Sequence, residues 1–206
     1  MRIAIIGAGH VGGALAQRFV QVGHTVLIGA QFPLSDKSIN LANQIGQDRF
    51  MSIPMAVQQS EVIVLATPAA KTLEVVNDLG DTSGKVIIDA MNTGRGTGLA
   101  GFTTTTEAIL AHTATTDVVK CFNTTGYENM LNPVYGGEGI DMFMAGNSDA
   151  AKATARQLAI DIGFANCYDL GGTDAVGLLE QLAMCWIKLA MGMGYGRNIG
   201  VKIVRR

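Results

Sequence analysis

Residues 2–13, Arg2-Ile3-Ala4-Ile5-Ile6-Gly7-Ala8-Gly9-His10-Val11-Gly12-Gly13, decide the fold of this chain. An aliphatic, β-branched run that ends in glycine reads as a buried strand. From Val11 the period changes: Val11, Leu15, Phe19 and Val22 fall on one helical face, and Gly23 stops the helix. Thr25 to Ile28, closed by Gly29, is a second buried strand. Strand, turn, helix and strand within roughly thirty residues make a β-α-β unit. A helix that opens at such a turn offers unpaired N–H groups and its positive dipole end, which suits a diphosphate. In that frame Gly7 allows the tight turn, Gly9 lets phosphate approach the backbone, and Gly12 lets helix and strand pack closely. With 26 glycines in 206 residues, chance alone gives roughly 0.4 such patterns, and a second one occurs at Gly96-Thr97-Gly98-Leu99-Ala100-Gly101. It lies well past a strand end and runs into Phe102 and threonines, so it reads as a loop. Position separates the two.

The alternation continues outward from the turn. Ser38 to Ile45 reads as a helix, with Ile39, Leu41 and Ile45 available for a core, Arg49 to Ile53 as a weak strand, and Pro54 as the start of a short helix. Val62 to Ala66 is a strand, Pro68 opens a helix that Gly80 closes, and Lys85 to Asp89 is the next strand. Glu107 to Ala111 is helical and Asp117 to Phe122 is a strand. Past Phe122 the texture changes: Asn123 to Gly139 is rich in Gly, Asn and Tyr and reads as a long functional loop. Ile140 to Ala145 is a strand, Asp149 to Ile162 a helix and Asn166 to Leu170 a strand. Thr173 to Ala190 is the longest helical stretch, apolar on nearly every side, and is expected to pack across the interface of a homodimer. The expected fold class is α/β: a Rossmann-type, doubly wound, mostly parallel sheet with a small C-terminal α+β extension packed on it. The chain reads as one domain, 1–206, with a core over 1–122 and an extension over 123–206.

Composition narrows the function classes. Hydrophobic residues make up 48% and charged residues 16%, which disfavours disorder. A net charge of -2 with no basic block beyond Arg205-Arg206 gives no footprint for nucleic acid. Arg2 and the uncharged run behind it superficially resemble a signal peptide, but the glycines from Gly7 to Gly13 are wrong for its apolar region. No stretch is read as the ~18 apolar residues a membrane span needs, so no membrane partner and a cytoplasmic location are expected. Cys121, Cys167 and Cys185 are scattered among apolar neighbours and read as reduced, buried thiols, with no metal site.

The end of the second strand bears on the cofactor. An NAD site usually offers an acidic residue there for the ribose 2′-hydroxyl. This chain offers Ala30 and Gln31, with no acid before Asp36 and Lys37 as the nearest cation. The missing carboxylate removes a repulsion against a 2′-phosphate, so NADP is favoured, with NAD as the alternative. Ligands of open α/β sheets sit beyond the carboxyl ends of strands, where Thr67, Asn92 and Asn123 stand. A Thr or Asn there can equally bond its own backbone. His10 lies in the phosphate turn and is read as a cofactor contact rather than a proton carrier. His24 reads as a surface turn residue, His112 has no evident partner, and Trp186 reads as core.

Thr67-Pro68, Asp89-Ala90-Met91-Asn92 and Val119-Lys120-Cys121-Phe122-Asn123-Thr124 carry a more specific resemblance. With Trp186-Ile187-Lys188-Leu189-Ala190 and Gly196-Arg197-Asn198-Ile199-Gly200, they make the chain similar, over nearly its whole length, to the NADP-dependent coenzyme F420 reductase family. That family also includes the cytosolic domain of membrane ferric reductases. The resemblance implies that Gly9, His10 and Val11 line the diphosphate, with Ala8 in the same turn. It implies that Thr67, Pro68 and Ala69 pass the ribose and diphosphate, and that Asn92 lies near the nicotinamide ribose. Ala30 and Gln31 stand where the family commonly carries Ser-Arg for the 2′-phosphate, a departure that bears on NADP against NAD. The implied activity is hydride transfer between NADP(H) and a flat redox acceptor, coenzyme F420 or a flavin. Three other readings are an imine reductase of the pyrroline-carboxylate type, a flavin or ferric reductase resembling the cytosolic half of the membrane enzymes, and a dinucleotide sensor without turnover. The first needs a substantial helical dimerisation domain, for which too little chain follows Phe164.

Overall fold

In the computed structural model residues 1–31, 36–94, 99 and 101–206 are described, the side chains of residues 36 and 37 excepted. The chain alternates as its periodicity requires: β1 (Arg2–Ile6), α1 (His10–Gln21), β2 (Thr25–Gly29), α2 (Asp36–Ile45), β3 (Phe50–Met51), α3 (Ile53–Gln58), β4 (Val62–Leu65), α4 (Thr72–Asp78), β5 (Val86–Asp89), α5 (Thr105–His112) and β6 (Val118–Cys121). Then come α6 (Tyr127–Leu131), β7 (Val134–Tyr135), β8 (Glu138–Gly139), β9 (Asp141–Ala145), α7 (Asp149–Asp161), β10 (Asn166–Asp169) and α8 (Val176–Ile187). Among the described residues one eight-stranded sheet forms in the order β10-β9-β6-β5-β4-β1-β2-β3. Strand order reverses between β1 and β4, which places the crevice of a doubly wound sheet beside the glycine turn.

Burial on both faces follows from the period of two along each strand. Ile3 and Ile5 of β1 face a core shared with Leu15 and Phe19 of α1, Val26 and Ile28 of β2, and Leu158 of α7. Ala4 and Ile6 face the opposite core with Ile63, Leu65, Ile87, Val75 and Leu79, under α3, α4 and α5. Strands covered on both sides read as unbroken apolar runs, which is why β1, β4 and β5 were legible.

Several expectations are corrected. The C-terminal strands do not form a separate layer. β9 pairs antiparallel with β6, Cys121 opposite Met144, and β10 runs parallel to β9, so both prolong the main sheet. The segment Asn123 to Gly139 is no featureless loop: it holds α6, packed on α1, and the β7–β8 hairpin, which return the chain for β9. Val22 and Ile39 are exposed rather than core, because α1 and α2 turn those positions outward. Pro68 caps a tight helical turn, Ala69–Lys71, ahead of α4. Of the second glycine pattern only Leu99 and Gly101 are described; Leu99 bridges to Phe102.

His24 is not a free surface residue: its Nε2 meets Asp161 at 3.0 Å, and its side chain is 10% exposed. His112 does have a partner, the edge of Phe102. Cys121 and Cys167 are buried with sulfurs 3.9 Å apart and unbonded, while Cys185 is exposed, contrary to expectation. Burial pushes the Cys121 thiol well up, with the Cys167 contact adding to it. The helical run Thr173–Gly192, α8 with a tighter turn before it and a wider one after it, meets the length and composition of a membrane span. The sequence reading missed this because Glu180 and Lys188 break its charge-free count. Val176, Leu179, Ala183 and Trp186 are its buried side, and Glu180 reaches an ion pair at the edge of the sheet.

Candidate functional site

The glycine turn has the geometry its residues suggest. Gly7 has φ +110°, and a Cβ there would stand 2.7 Å from the carbonyl oxygen of Ala66, so both backbone shape and space require glycine. A Cβ at Gly12 would overlap the carbonyl oxygen of Gly7, which is how closely α1 is drawn against the turn. Gly9 differs: it has an ordinary extended backbone, and a Cβ there would meet nothing within 4 Å. It caps α1 with no side-chain hydrogen bond, and no acidic residue stands in the first turn. The N-terminus of α1 therefore faces open space with its positive end uncompensated.

Three groups of the expected residues assemble along the carboxyl edge of the sheet. Gly7, Ala30, Gln31, Thr67 and Pro68 line one cavity of about 220 Å³ together with Lys71 and Glu74. Ala8, Gly9 and His10 line a second, of about 490 Å³, with Tyr127 and Leu131 of α6. Asn92 and Asn123 interlock: the Asn123 amide donates to Asn92 Oδ1 at 3.1 Å, and the Asn92 amide donates to the Asn123 carbonyl at 3.2 Å. Val11 is half-buried against the core, and Ala69 is buried beneath the turn it begins. The Lys37 side chain lies outside the described residues. The cation found at the first cavity is Lys71, 2.6 Å from Glu74.

Sequence reading missed a buried charge cluster. Lys120 is fully buried at the end of β6, with Nζ 3.2 Å from Asp89 Oδ2 and 2.7 Å from Glu180 Oε1. Asp89 also accepts from the Thr105 and Thr106 hydroxyls and from the Met91 backbone N–H. Glu180 accepts from both the backbone N–H and the hydroxyl of Thr93. A charged residue in an otherwise apolar strand was the available signal, because buried lysines and aspartates are kept only when paired.

A second cluster forms around α6. His10 meets the edge of Tyr127 at 4.8 Å, and the Arg197 guanidinium lies over the Tyr127 and Trp186 rings. Arg197 also pairs with Glu128. Burial of Glu128 raises its pKa, but the hydrogen bond and charge of Arg197, with hydrogen bonds from its own backbone and from Tyr127, together outweigh this and hold the carboxyl below its ordinary range. Trp186 is buried as expected and donates to the Ile199 carbonyl.

A further cavity, about 880 Å³, lies apart from the glycine turn. It is walled by Thr93 and Gly94, by Thr103 to Leu110 around the start of α5, and by Glu180, Gln181 and Met184 of α8. No residue of 123–138 lines it, and the C-terminal helix supplies one side.

Comparison with known proteins fits this geometry. Residues 2–93 match the model of the family described as NADP oxidoreductase, coenzyme F420-dependent. The crystal structure of a presumptive F420-dependent NADP reductase from Arthrobacter sp. FB24 superposes with TM-score 0.85 at 26% identity, covering 100% of both chains. A hypothetical protein from Sinorhizobium meliloti gives 0.73 at 28% identity, over 86% of this chain and 88% of the other. A reductive aminase from Aspergillus terreus, solved with NADPH, gives 0.65 at 17% identity over 94% of this chain and 63% of its own, a likeness of fold. No curated protein matches in sequence.

Proposed function

We propose that this chain, a member through residues 2–93 of the coenzyme F420-dependent NADP oxidoreductase family, passes hydride between NADP(H) and a flat redox ring, coenzyme F420 or a flavin. The observation that carries the reading is the contrast within the glycine turn: Gly7 and Gly12 are closed by backbone, while Gly9 opens onto space that a diphosphate fits. Bound nicotinamide supplies the hydride. The chain's own part is binding and orientation. The first turn of α1 holds the diphosphate with backbone N–H groups. Thr67 and Pro68 flank the adenosine-side cavity with Ala30 and Gln31, where Lys71 offers a charge to a 2′-phosphate. The Asn92–Asn123 pair stands at the β5 and β6 ends, where the nicotinamide ribose would rest.

The large cavity beside Thr93 is the proposed acceptor site. On the same reading the protein is a cytoplasmic homodimer, with a second copy covering the exposed Leu178, Cys185 and Leu189 on one side of α8. Sedimentation of the purified protein at two concentrations tests the dimer, and a strictly monomeric species removes it.

Titration with NADPH and NADH, followed by stopped-flow oxidation of the tighter binder with F420 and then with FMN or FAD, tests the activity. Tight NADPH binding with rapid oxidation by one acceptor names the substrate class. Binding without oxidation by any of them turns the assignment toward a dinucleotide sensor, and failure of both nucleotides to bind removes it.

A further inference from the structure

Asn92 is straddled by two anchored amides. The N–H of the residue before it, Met91, is held by Asp89 at 3.0 Å, and that of the residue after it, Thr93, by Glu180 at 3.0 Å. Both carboxylates are partners of the same buried Lys120. Glu180 adds a second bond, from the Thr93 hydroxyl, also at 3.0 Å. The three charged groups come from β5, β6 and α8, so a residue of the C-terminal helix fixes a loop at the end of β5. The Asn92 side chain, although exposed, is tied to Asn123, which itself donates to the Leu179 carbonyl of α8 at 3.4 Å. Among the described residues, these restraints on Asn92 run through β6 or α8 or through the loop end that Asp89 holds.

We propose that Glu180, backed by Lys120, is a positioning residue for the nicotinamide end of the cofactor: by clamping Thr93 it aims Asn92, without touching the dinucleotide itself. The proposal rests on the dinucleotide reading above and assigns a role to a residue outside the family match. A clamp with two acceptor oxygens on one threonine removes rotation of the loop as well as translation, which a single bond would not. Aim matters at this end of the cofactor and not at the other, because a misplacement of about 1 Å at the reacting ring costs on the order of a hundredfold in rate. The adenosine cavity, lined by Gln31, Thr67 and Lys71, shares no residue with the cluster.

The experiment compares NADPH with 2′,5′-ADP, which carries the adenosine half alone, on the wild type, Glu180→Gln, Glu180→Ala and Thr93→Val. For Glu180→Ala the expected result is a roughly tenfold loss of NADPH affinity, with 2′,5′-ADP affinity changed less than about twofold and hydride-transfer rate down by roughly ten- to a hundredfold. Glu180→Gln keeps one acceptor oxygen and falls between wild type and Ala. Thr93→Val keeps the backbone bond and shows the smallest loss in the same direction. Equal weakening of both nucleotides in step with a lowered melting temperature means a structural role only and overturns the proposal, as does unchanged NADPH affinity and rate in Glu180→Ala. If wild type binds 2′,5′-ADP and NADPH but oxidises NADPH with no acceptor, the activity fails while the affinity comparison still decides the clamp. If wild type binds neither, both readings fall.

Discussion

Two lysines sit at the carboxyl edge of the same sheet, each beside carboxylates at similar distance, in opposite surroundings. Lys71 and Glu74 meet at 2.6 Å with side chains 59% and 50% exposed. Lys120 meets Asp89 and Glu180 at 3.2 and 2.7 Å, with exposures of 0%, 0% and 16%. The exposed pair contributes about 0–1 kcal/mol, since water already solvates both charges and salt screens them. The buried cluster holds charges whose desolvation is offset only while every partner is present, so loss of one costs about 3–5 kcal/mol. On the proposed reading these are the two ends of one cofactor groove. Orientation of the reacting ring is tied to the stability of the fold, and recognition of the ribose substituent is left where substitution is cheap.

The largest effect expected from breaking this contrast is that of Lys120→Met. It leaves Asp89 and Glu180 facing each other without a cation, and the unfolding free energy measured in guanidinium should fall by about 3–5 kcal/mol. A loss under about 1 kcal/mol would mean that Thr105, Thr106 and water suffice for the carboxylates, and the two lysines would no longer differ in kind. Next comes Gly12→Ala, whose methyl overlaps the Gly7 carbonyl oxygen. It forces α1 off the turn, costing about 1–3 kcal/mol of stability and at least about a hundredfold in NADPH affinity, as both the turn and the helix end move. Gly9→Ala separates binding from folding. At φ -76° alanine is unstrained, and its Cβ meets no protein atom, so thermal stability should hold while NADPH binding weakens roughly tenfold. Equal NADPH affinity in Gly9→Ala and wild type would place the diphosphate elsewhere.

The same contrast explains what could be read in the sequence. β1, the glycine turn, α1, β4 and β5 were legible because their information is local: an apolar run, a change of period, and glycines that close on neighbouring backbone. Thr67, Asn92 and Asn123 could be placed past strand ends from the sequence, and they follow β4, β5 and β6. The cluster of Lys120, Asp89 and Glu180 was not read, although Lys120 stands inside Val118–Cys121 and Asp89 ends an aliphatic strand. Its partners are 31 and 60 positions from Lys120 along the chain, and pairing at that separation is set by the fold. The place of β9 and β10 in the sheet was not legible for the same reason: their sequences announce strands, but which edge they join depends on the reversal through α6 and the β7–β8 hairpin. Lys71 carries no signal of its own in the sequence, because it stands far from the second strand along the chain. The turn after Pro68 is what carries Lys71 to the cavity.

Lys71→Ala is the smallest of these expected effects and the most discriminating for cofactor choice. Ala30 and Gln31 after β2 carry no charge, so a 2′-phosphate in the 220 Å³ cavity would find Lys71 as its cation among the described residues. Glu74 and Asp78 line the same cavity and oppose an anion, and Lys71 is already shared with Glu74, which limits its strength. An exposed ammonium lost next to a phosphate is worth about 1 kcal/mol, or roughly a fivefold rise in the Kd of NADPH. The Kd of NADH should stay within about twofold, because that cofactor has no phosphate for the lysine to meet. The NADPH effect should shrink as salt is raised, since the Debye length falls from about 10 Å at 0.1 M to about 3 Å at 1 M. Melting temperature should be unchanged, in contrast to Lys120→Met. If both nucleotides weaken together, Lys71 acts on a part they share, the diphosphate or the adenine ribose. The choice between them would then rest on Gln31.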